Sequence, residues 1–262
     1  MRRAKKYAVI TGASSGIGVE FAKRFAAEGY SVVLVARREA RLKKLKEELK
    51  DYMDTGTKCL IMKADLGDYG ECKALVDKLK KLPVVIFINN AGFGDCGAFI
   101  ETDLSKEMDM IDLNVKALHF LTKKMLRQFK RQGCGYLLNV ASSAGIIPAG
   151  PYMATYYATK SYVVSLTRAI ARELYEAGSN IYIGCLCPGP VDTEFNANAN
   201  VEFSMKGISA EYCANYAVDM MKKRKVVIIP TFIMKTLMFS GRFIPQSLYV
   251  ANISKRQKQK MW

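Results

Sequence analysis

The chain is expected to fold as an α/β protein, a doubly wound parallel sheet of about seven strands with helices on both faces. Three observations predict it. Apolar strand-like runs alternate with longer helical patterns along the chain. The strands are β-branched and mostly apolar on both faces, as in a parallel sheet covered by helices. Six strand exits in a row carry glycine, hydroxyl, amide or charge, and in such sheets ligands bind beyond the carboxyl ends of the strands.

Strands are expected at 7–11 (YAVIT), 31–36 (SVVLVA), 58–64 (KCLIMKA), 84–89 (VVIFIN), 135–141 (GYLLNVA), 181–187 (IYIGCLC) and 225–229 (KVVII). Helical patterns lie between them at 16–29, 38–50, 68–81, 104–132, 152–177 and 208–223. With right-handed crossovers this alternation winds the sheet in both directions. The exits read TGASSGIG after the first strand, Arg37–Arg38 after the second and Asp65 after the third. NNAG, SSAG and PGP follow the fourth, fifth and sixth. Loops favour Gly, Asn and Ser, but turn chemistry does not account for two adjacent arginines or an asparagine pair.

At 262 residues, half of them hydrophobic, the chain can bury a sizeable core and is not a disordered segment. No repeat or low-complexity linker divides it, so a single domain over 1–262 is expected. Residues 5–195 bear the motifs, and 196–262 form a substrate loop and a basic, amphipathic C-terminal segment. The seven cysteines are odd in number and lack zinc-like CxxC pairs. They read as buried thiols in a reducing compartment, with Cys185 and Cys187 facing one side of their strand. The single histidine, His119, lies in a helical pattern and reads as structural, and no metal site is expected. The start, MRRAKKYAVITG, shows no secretory signal, and no stretch of about 18 uninterrupted apolar residues predicts a spanning helix. A cytoplasmic protein is expected. The net charge of +16 calls for an anionic partner. A phosphorylated ligand or an anionic membrane surface fits; nucleic acid is disfavoured, because no aromatic-and-basic RNA motif or zinc finger accompanies the charge.

Two stretches carry chemistry. In TGASSGIG, residues 11–18, Gly12 permits a tight turn, while Gly16 and Gly18 let backbone and helix approach a diphosphate and the sheet. The helix N-terminus then offers unpaired N–H groups to the anion. In TYYATK, residues 155–160, Lys160 follows Tyr156 by four positions and Tyr157 by three. Both spacings bring side chains together on a helix, so geometry leaves both tyrosines open. A nearby ammonium stabilises phenolate. Lowering a tyrosine from about 10 to about 7 takes roughly 4 kcal/mol and would make it a general acid or base at neutral pH.

The chain resembles the short-chain dehydrogenase/reductase family over residues 5 to about 195. TGxxxGxG matches 11–18, NNAG matches 89–92 and a helix asparagine matches Asn114. NVASSAG at 139–145 matches the paired-serine segment, YxxxK matches 156–160 and PGPVDT matches 188–193. The resemblance implies a Rossmann-type fold and a nicotinamide-dependent oxidoreductase that interconverts a carbonyl and a secondary alcohol. It selects Tyr156 over Tyr157 and points to Ser142 as the serine on the substrate oxygen, with Ser143 the runner-up because Ala141 replaces the first serine. Lys160 would tune Tyr156 and hold the nicotinamide ribose, and Asn114 would hold a water beside the lysine.

The resemblance also assigns cofactor residues. The turn supplies Gly12, Ser14, Ser15, Gly16, Ile17 and Gly18. Asp65 and Leu66 border the adenine, and Asn90, Ala91 and Gly92 the adenosine ribose. Pro188, Gly189, Val191 and Thr193 approach the diphosphate or carboxamide, next to Tyr156 and Lys160. A cofactor without a 2′-phosphate meets an acidic side chain at the second strand end. Here Ala36 is followed by Arg37 and Arg38, whose planar cations suit a 2′-phosphate. NADP, as NADPH in the reductive direction, is the expected cofactor.

The substrate pocket is expected from residues 94–103 and from 190 onward, with a hydrophobic steroid-like or long-chain keto compound as substrate. The expected assembly is a homodimer or homotetramer. In the tail, a helix would put Lys235 and Arg242 on one side and leave Phe232, Met234, Leu237 and Met238 for apolar contacts. Lys255, Arg256, Lys258 and Lys260 would favour an anionic membrane surface. The alternative function is a catalytically idle nucleotide sensor on the same fold, or a membrane-surface interaction protein.

Overall fold

A computed structural model of the chain describes residues 6–195, 199 and 207–258. Lys260 lies outside them. Seven strands form one parallel sheet: β1 (Tyr7–Thr11), β2 (Ser31–Ala36), β3 (Cys59–Lys63), β4 (Val84–Asn89), β5 (Gly135–Val140), β6 (Ile181–Leu186) and β9 (Val227–Ile228). Their order is β3-β2-β1-β4-β5-β6-β9. The winding reverses between β1 and β4, which opens a crevice at the carboxyl ends of those two strands. A two-stranded ribbon of β7 (Val191–Asp192) and β8 (Ile208–Ser209) stands apart from the sheet.

The period-two alternation of a strand divides the sheet's residues between two cores. Ala8 and Ile10 of β1 and Val32 and Leu34 of β2 face one layer. That layer is built by α1 (Gly16–Ala27), α2 (Glu39–Glu48) and α7 (Ala210–Lys222), which contribute Phe21, Phe25, Leu42, Leu45 and Ala217. Tyr7, Val9, Val33 and Val35 face the other layer, with Leu75 and Leu79 of α3 (Tyr69–Leu79). Leu121, Met125 and Phe129 of α5 (Leu118–Gln132) and Ile170 and Leu174 of α6 (Ala154–Glu176) complete it. Because Phe129 is fully buried, truncating it to alanine should cost about 3–5 kcal/mol.

The helix expected at 104–132 is three pieces: α4 (Leu104–Ile111), a π-helical segment (Asp112–Ala117) and α5. The wider turn of the π segment carries Asn114, and such segments recur at functional sites. The tail holds two further helices, α8 (Phe232–Ser240) and α9 (Gln246–Lys258), joined by a 3-10 turn (Gly241–Phe243). Here the expectation of one helix face shared by Lys235 and Arg242 fails. The helix ends at Ser240, and a Cβ on Gly241 would lie 2.9 Å from the Tyr249 ring, so the chain turns where α9 packs against it. Met234, Leu237 and Met238 turn toward the protein, whereas Phe232 is exposed. No helix among the described residues is long and apolar enough to cross a membrane.

Candidate active site

The strand exits converge on one cavity of about 1070 Å³. Gly12, Ser14, Ser15, Gly16 and Ile17 line it from the first exit, Arg37 and Arg38 from the second, and Asp65 and Leu66 from the third. Asn90, Ala91 and Gly92, then Ser142 and Ser143, follow from β4 and β5. Tyr156 and Lys160 enter from α6, and Pro188, Gly189, Val191 and Thr193 from beyond β6. Gly18 and Asn114 are not on the wall; they sit behind it.

The glycine turn is shaped for close backbone approach. Gly12 has φ +64°, and a Cβ on Gly18 would lie 2.3 Å from the Gly12 carbonyl oxygen. Asn90 secures the turn by donating its Nδ2 to the carbonyls of Thr11 (2.9 Å) and Gly12 (3.3 Å). Its side chain is thus committed to the end of β1, and its backbone N–H donates to Thr11 Oγ1 at 2.8 Å. Ser15 is the N-cap of α1 yet makes no side-chain cap, and the first turn holds no acid. Free N–H groups and a positive dipole end therefore remain for an anion.

Arg38 lies over this turn. It donates to Ser14 Oγ at 3.1 and 3.2 Å and to Ser15 Oγ at 2.8 Å. It also pairs with Glu194 at 3.2 Å, which Arg41 grips at 2.6 Å. Hydrogen bonds from Arg41 and then Arg38 hold the Glu194 carboxyl below its ordinary range. Arg37 is more open and faces Asp65 at 3.6 Å. Arg41 lies outside the expected site residues, and Glu194, within the stretch from 190 onward expected for the substrate pocket, sits with the arginines instead. An acid one residue beyond the PGPVDT stretch was the signal, but only the fold brings it across 156 positions to Arg38.

Near the other strand ends, the Tyr156 phenol is hydrogen-bonded to Ser142. The Ser142 hydroxyl accepts from the Ala144 N–H at 3.1 Å, which fixes the serine, and Ser143 makes no such link. Lys160 Nζ donates to the Val140 carbonyl at 3.1 Å and lies 5.7 Å from the Tyr156 ring centroid. Burial raises the Tyr156 pKa, and the Ser142 hydrogen bond only partly opposes it. Burial also pushes Lys160 down to about 8. The expected lowering of Tyr156 by the lysine is therefore not what this site does alone: desolvation dominates, and the opposing effect comes from Ser142. The phenol keeps its proton, which is the form a proton donor needs.

Asn114 is fully buried. Its Nδ2 donates to the Phe93 carbonyl (2.8 Å) and Thr159 Oγ1 (3.2 Å), and its Oδ1 accepts from the Phe93 N–H (3.2 Å). A Cβ on Gly92 would lie 2.8 Å from Asn114 Oδ1 and 3.3 Å from Lys160 Nζ, so both groups lie close against that glycine.

An apolar stretch of the wall is built by Phe93, Ile147, Met153 and Phe195 with Met234, Leu237 and Met238 of α8 and Ile253 of α9, and Asp109, Arg256 and Gln257 add polar groups to it. Residues 94–103 do not line it, contrary to expectation. The Gly97 N–H bonds the Tyr152 carbonyl, and Phe99 and Ile100 turn outward. From α9, Gln257 reaches Tyr157, its Nε2 donating to the phenol oxygen at 2.6 Å. Gln257 was missed because nothing in the sequence ties the tail to Tyr157. His119 pairs with Tyr162 outside the cavity. Cys185 and Cys187 lie together with sulfurs 3.9 Å apart. No cluster of three metal-ligating side chains occurs among the described residues.

Residues 6–202 match the family model for short chain dehydrogenase. The very-long-chain 3-oxoacyl-CoA reductase of Scheffersomyces stipitis is 35% identical over 185 residues, covering 67% of this chain and 53% of that protein. The chain thus spans about half the length of the yeast reductases it matches. A putative ketoacyl reductase of Streptomyces coelicolor is 32% identical over 204 residues, 75% of each chain. Among solved structures, a short-chain dehydrogenase from Sphingobium yanoikuyae in complex with NADPH superimposes with a TM-score of 0.81 at 30% identity, covering 93% of this chain and 94% of that one. The match over most of the chain and the glycine turn, Ser142, Tyr156 and Lys160 lining one cavity lead to one conclusion: this chain belongs to the short-chain dehydrogenase/reductase family.

Proposed function

We propose that the protein is an NADPH-dependent reductase of a hydrophobic carbonyl compound, with the reverse alcohol oxidation at the same site. One observation carries the reading. A single cavity joins Ser142, Tyr156 and Lys160 to an uncapped helix N-terminus with two guanidiniums and to an apolar wall. The glycine cradle and the arginines fit a dinucleotide with a 2′-phosphate, which Arg37 and Arg38 would take. When bound, this cofactor supplies the hydride. Ser142 orients the carbonyl oxygen by a hydrogen bond, where negative charge develops. Tyr156 gives its retained proton to that oxygen. Lys160 holds the nicotinamide ribose and, as a cation, stabilises the phenolate left behind. Asn114 positions Lys160 through Phe93, Gly92 and Thr159.

The apolar wall and the keto-substrate names among the relatives support a long-chain or steroid-like keto compound. We place the enzyme in the cytoplasm as a homodimer or homotetramer. NADPH oxidation against a ketone panel running from keto-steroids to keto-acyl thioesters, with Tyr156→Phe as control, tests the reading. An idle sensor would bind NADPH and turn over none of the panel.

A further inference from the structure

The tail presents two opposite apolar faces. Met234, Leu237 and Met238 of α8 line the cavity. On the outer side Phe232 is 80% exposed, Ile233 65% and Phe239 62%, and the patch continues through Phe243 at 76% and Leu248 at 59%. Phe239 and Phe243 meet edge to face, with centroids 5.4 Å apart, so the patch is continuous across the 3-10 turn. A contiguous exposed apolar patch rimmed by polar residues marks an interaction site.

The charge around the patch identifies the partner. From Lys225 to the end of the sequence there are seven Lys or Arg and no Asp or Glu. Lys235, Lys255 and Lys258 are exposed on the same two helices, whereas Arg256, also exposed, lines the cavity. A second copy docking patch to patch would set these cations against themselves, which is unfavourable. No described helix can span a bilayer, but a short helix with an apolar side and cations around it suits the interface.

We propose that α8, the 3-10 turn and the start of α9 form a docking face for an anionic phospholipid bilayer, with Phe232, Ile233, Phe239, Phe243 and Leu248 inserted and the cations at headgroup level. Because α8 is also a cavity wall, a carbonyl substrate dissolved in the bilayer is separated from the cavity by one helix. This last step rests on the reductase reading; the docking does not.

Co-sedimentation of the full chain with phosphatidylcholine vesicles, with and without phosphatidylglycerol, tests it. The protein should pellet with the anionic vesicles only, and less in high salt. Changing Lys255 and Lys258 to glutamate should weaken partitioning by at least about tenfold, since each surface cation contributes roughly fivefold. The Phe239→Glu, Phe243→Glu pair should abolish pelleting while thermal unfolding and turnover of a short soluble ketone stay unchanged. Should that pair fail to fold, Phe239→Ser with Phe243→Ser replaces it, with the same loss expected. Full chain left in the supernatant, or variants pelleting like the parent, overturns the proposal. Dissociation of an oligomer by the phenylalanine variants with vesicle binding intact also overturns it and makes the face an interface between copies. Pelleting is read without turnover, so loss of the reductase reading leaves this result standing.

Discussion

Gln257 and Tyr157 are 100 positions apart and joined by a 2.6 Å hydrogen bond in the buried interior. The bond separates the roles of two adjacent tyrosines. Tyr157 is spent on holding α9 against the cavity, and burial pushes its phenol up to about 12. Tyr156 faces Ser142 instead. Tyr156→Phe should therefore retain NADPH binding and lose turnover by roughly 10²–10⁴-fold, as when a general acid is removed. Tyr157→Phe should keep turnover on a small ketone and loosen α9, seen as faster amide exchange there. A dead Tyr157→Phe beside an active Tyr156→Phe would reverse the assignment.

The two arginines should fail differently. Arg37 is open, paired loosely with Asp65 at 3.6 Å, and can turn onto a 2′-phosphate. Arg37→Ala should weaken NADPH by about tenfold to a hundredfold and NADH little, the loss of a charged hydrogen bond being about 1.5–3 kcal/mol. Arg38 holds the hydroxyls of Ser14 and Ser15 in the turn proposed to receive the dinucleotide, whichever its 2′ group. Arg38→Ala should weaken both cofactors. Titration of each variant with NADPH and NADH decides; equal losses for Arg37→Ala would make Arg37 a surface charge only.

Much of this was legible in the sequence, for a physical reason. β1 and β2 are buried on both faces, so their apolar runs leave little ambiguity, and the short loops put the unusual residues at strand ends. What escaped was long-range or local in a different way. The π segment around Asn114 has an ordinary helical pattern, and the long-range ties of Asn114 to Phe93 and Thr159 that accompany its wider turn are not local in sequence. Glu194 and Gln257 act only through partners 156 and 100 positions away. A lowered Tyr156 pKa follows from the neighbouring lysine alone, whereas burial, a property of the whole fold, has the largest effect and raises it.

Asn114 gives a test of that buried tie. Asn114→Ala removes three hydrogen bonds and leaves the Phe93 N–H and carbonyl without their side-chain partner. The expected cost is about 1–3 kcal/mol per orphaned group, read as a lower Tm. Since Asn114 does not line the cavity, the KM for a ketone should change less than kcat. An unchanged kcat with a lowered Tm would make Asn114 purely structural.

Lys160 makes stability depend on pH in a direction opposite to that of most lysines. Burial lowers it to about 8 from an ordinary 10.5. Between those values the unfolded chain carries a proton that the folded chain has released, so this group's contribution to stability rises with pH across that window. Below pH 8 both states carry the ammonium, and the folded state bears the full cost of burying it. That cost is about 3 kcal/mol, at roughly 1.4 kcal/mol for each tenfold change in proton affinity. Lys160→Met removes the titration and also the bond to the Val140 carbonyl, so its absolute stability is a poor guide. The slope is the readout. Thermal unfolding of both proteins without cofactor should show the parent gaining on Lys160→Met as pH rises from about 8 to 10.5. A difference that stays flat over this range would place the lysine's proton affinity at its ordinary value. A difference that moves the other way would mean the folded site binds the proton more tightly than water does, and the buried-ammonium account would be wrong.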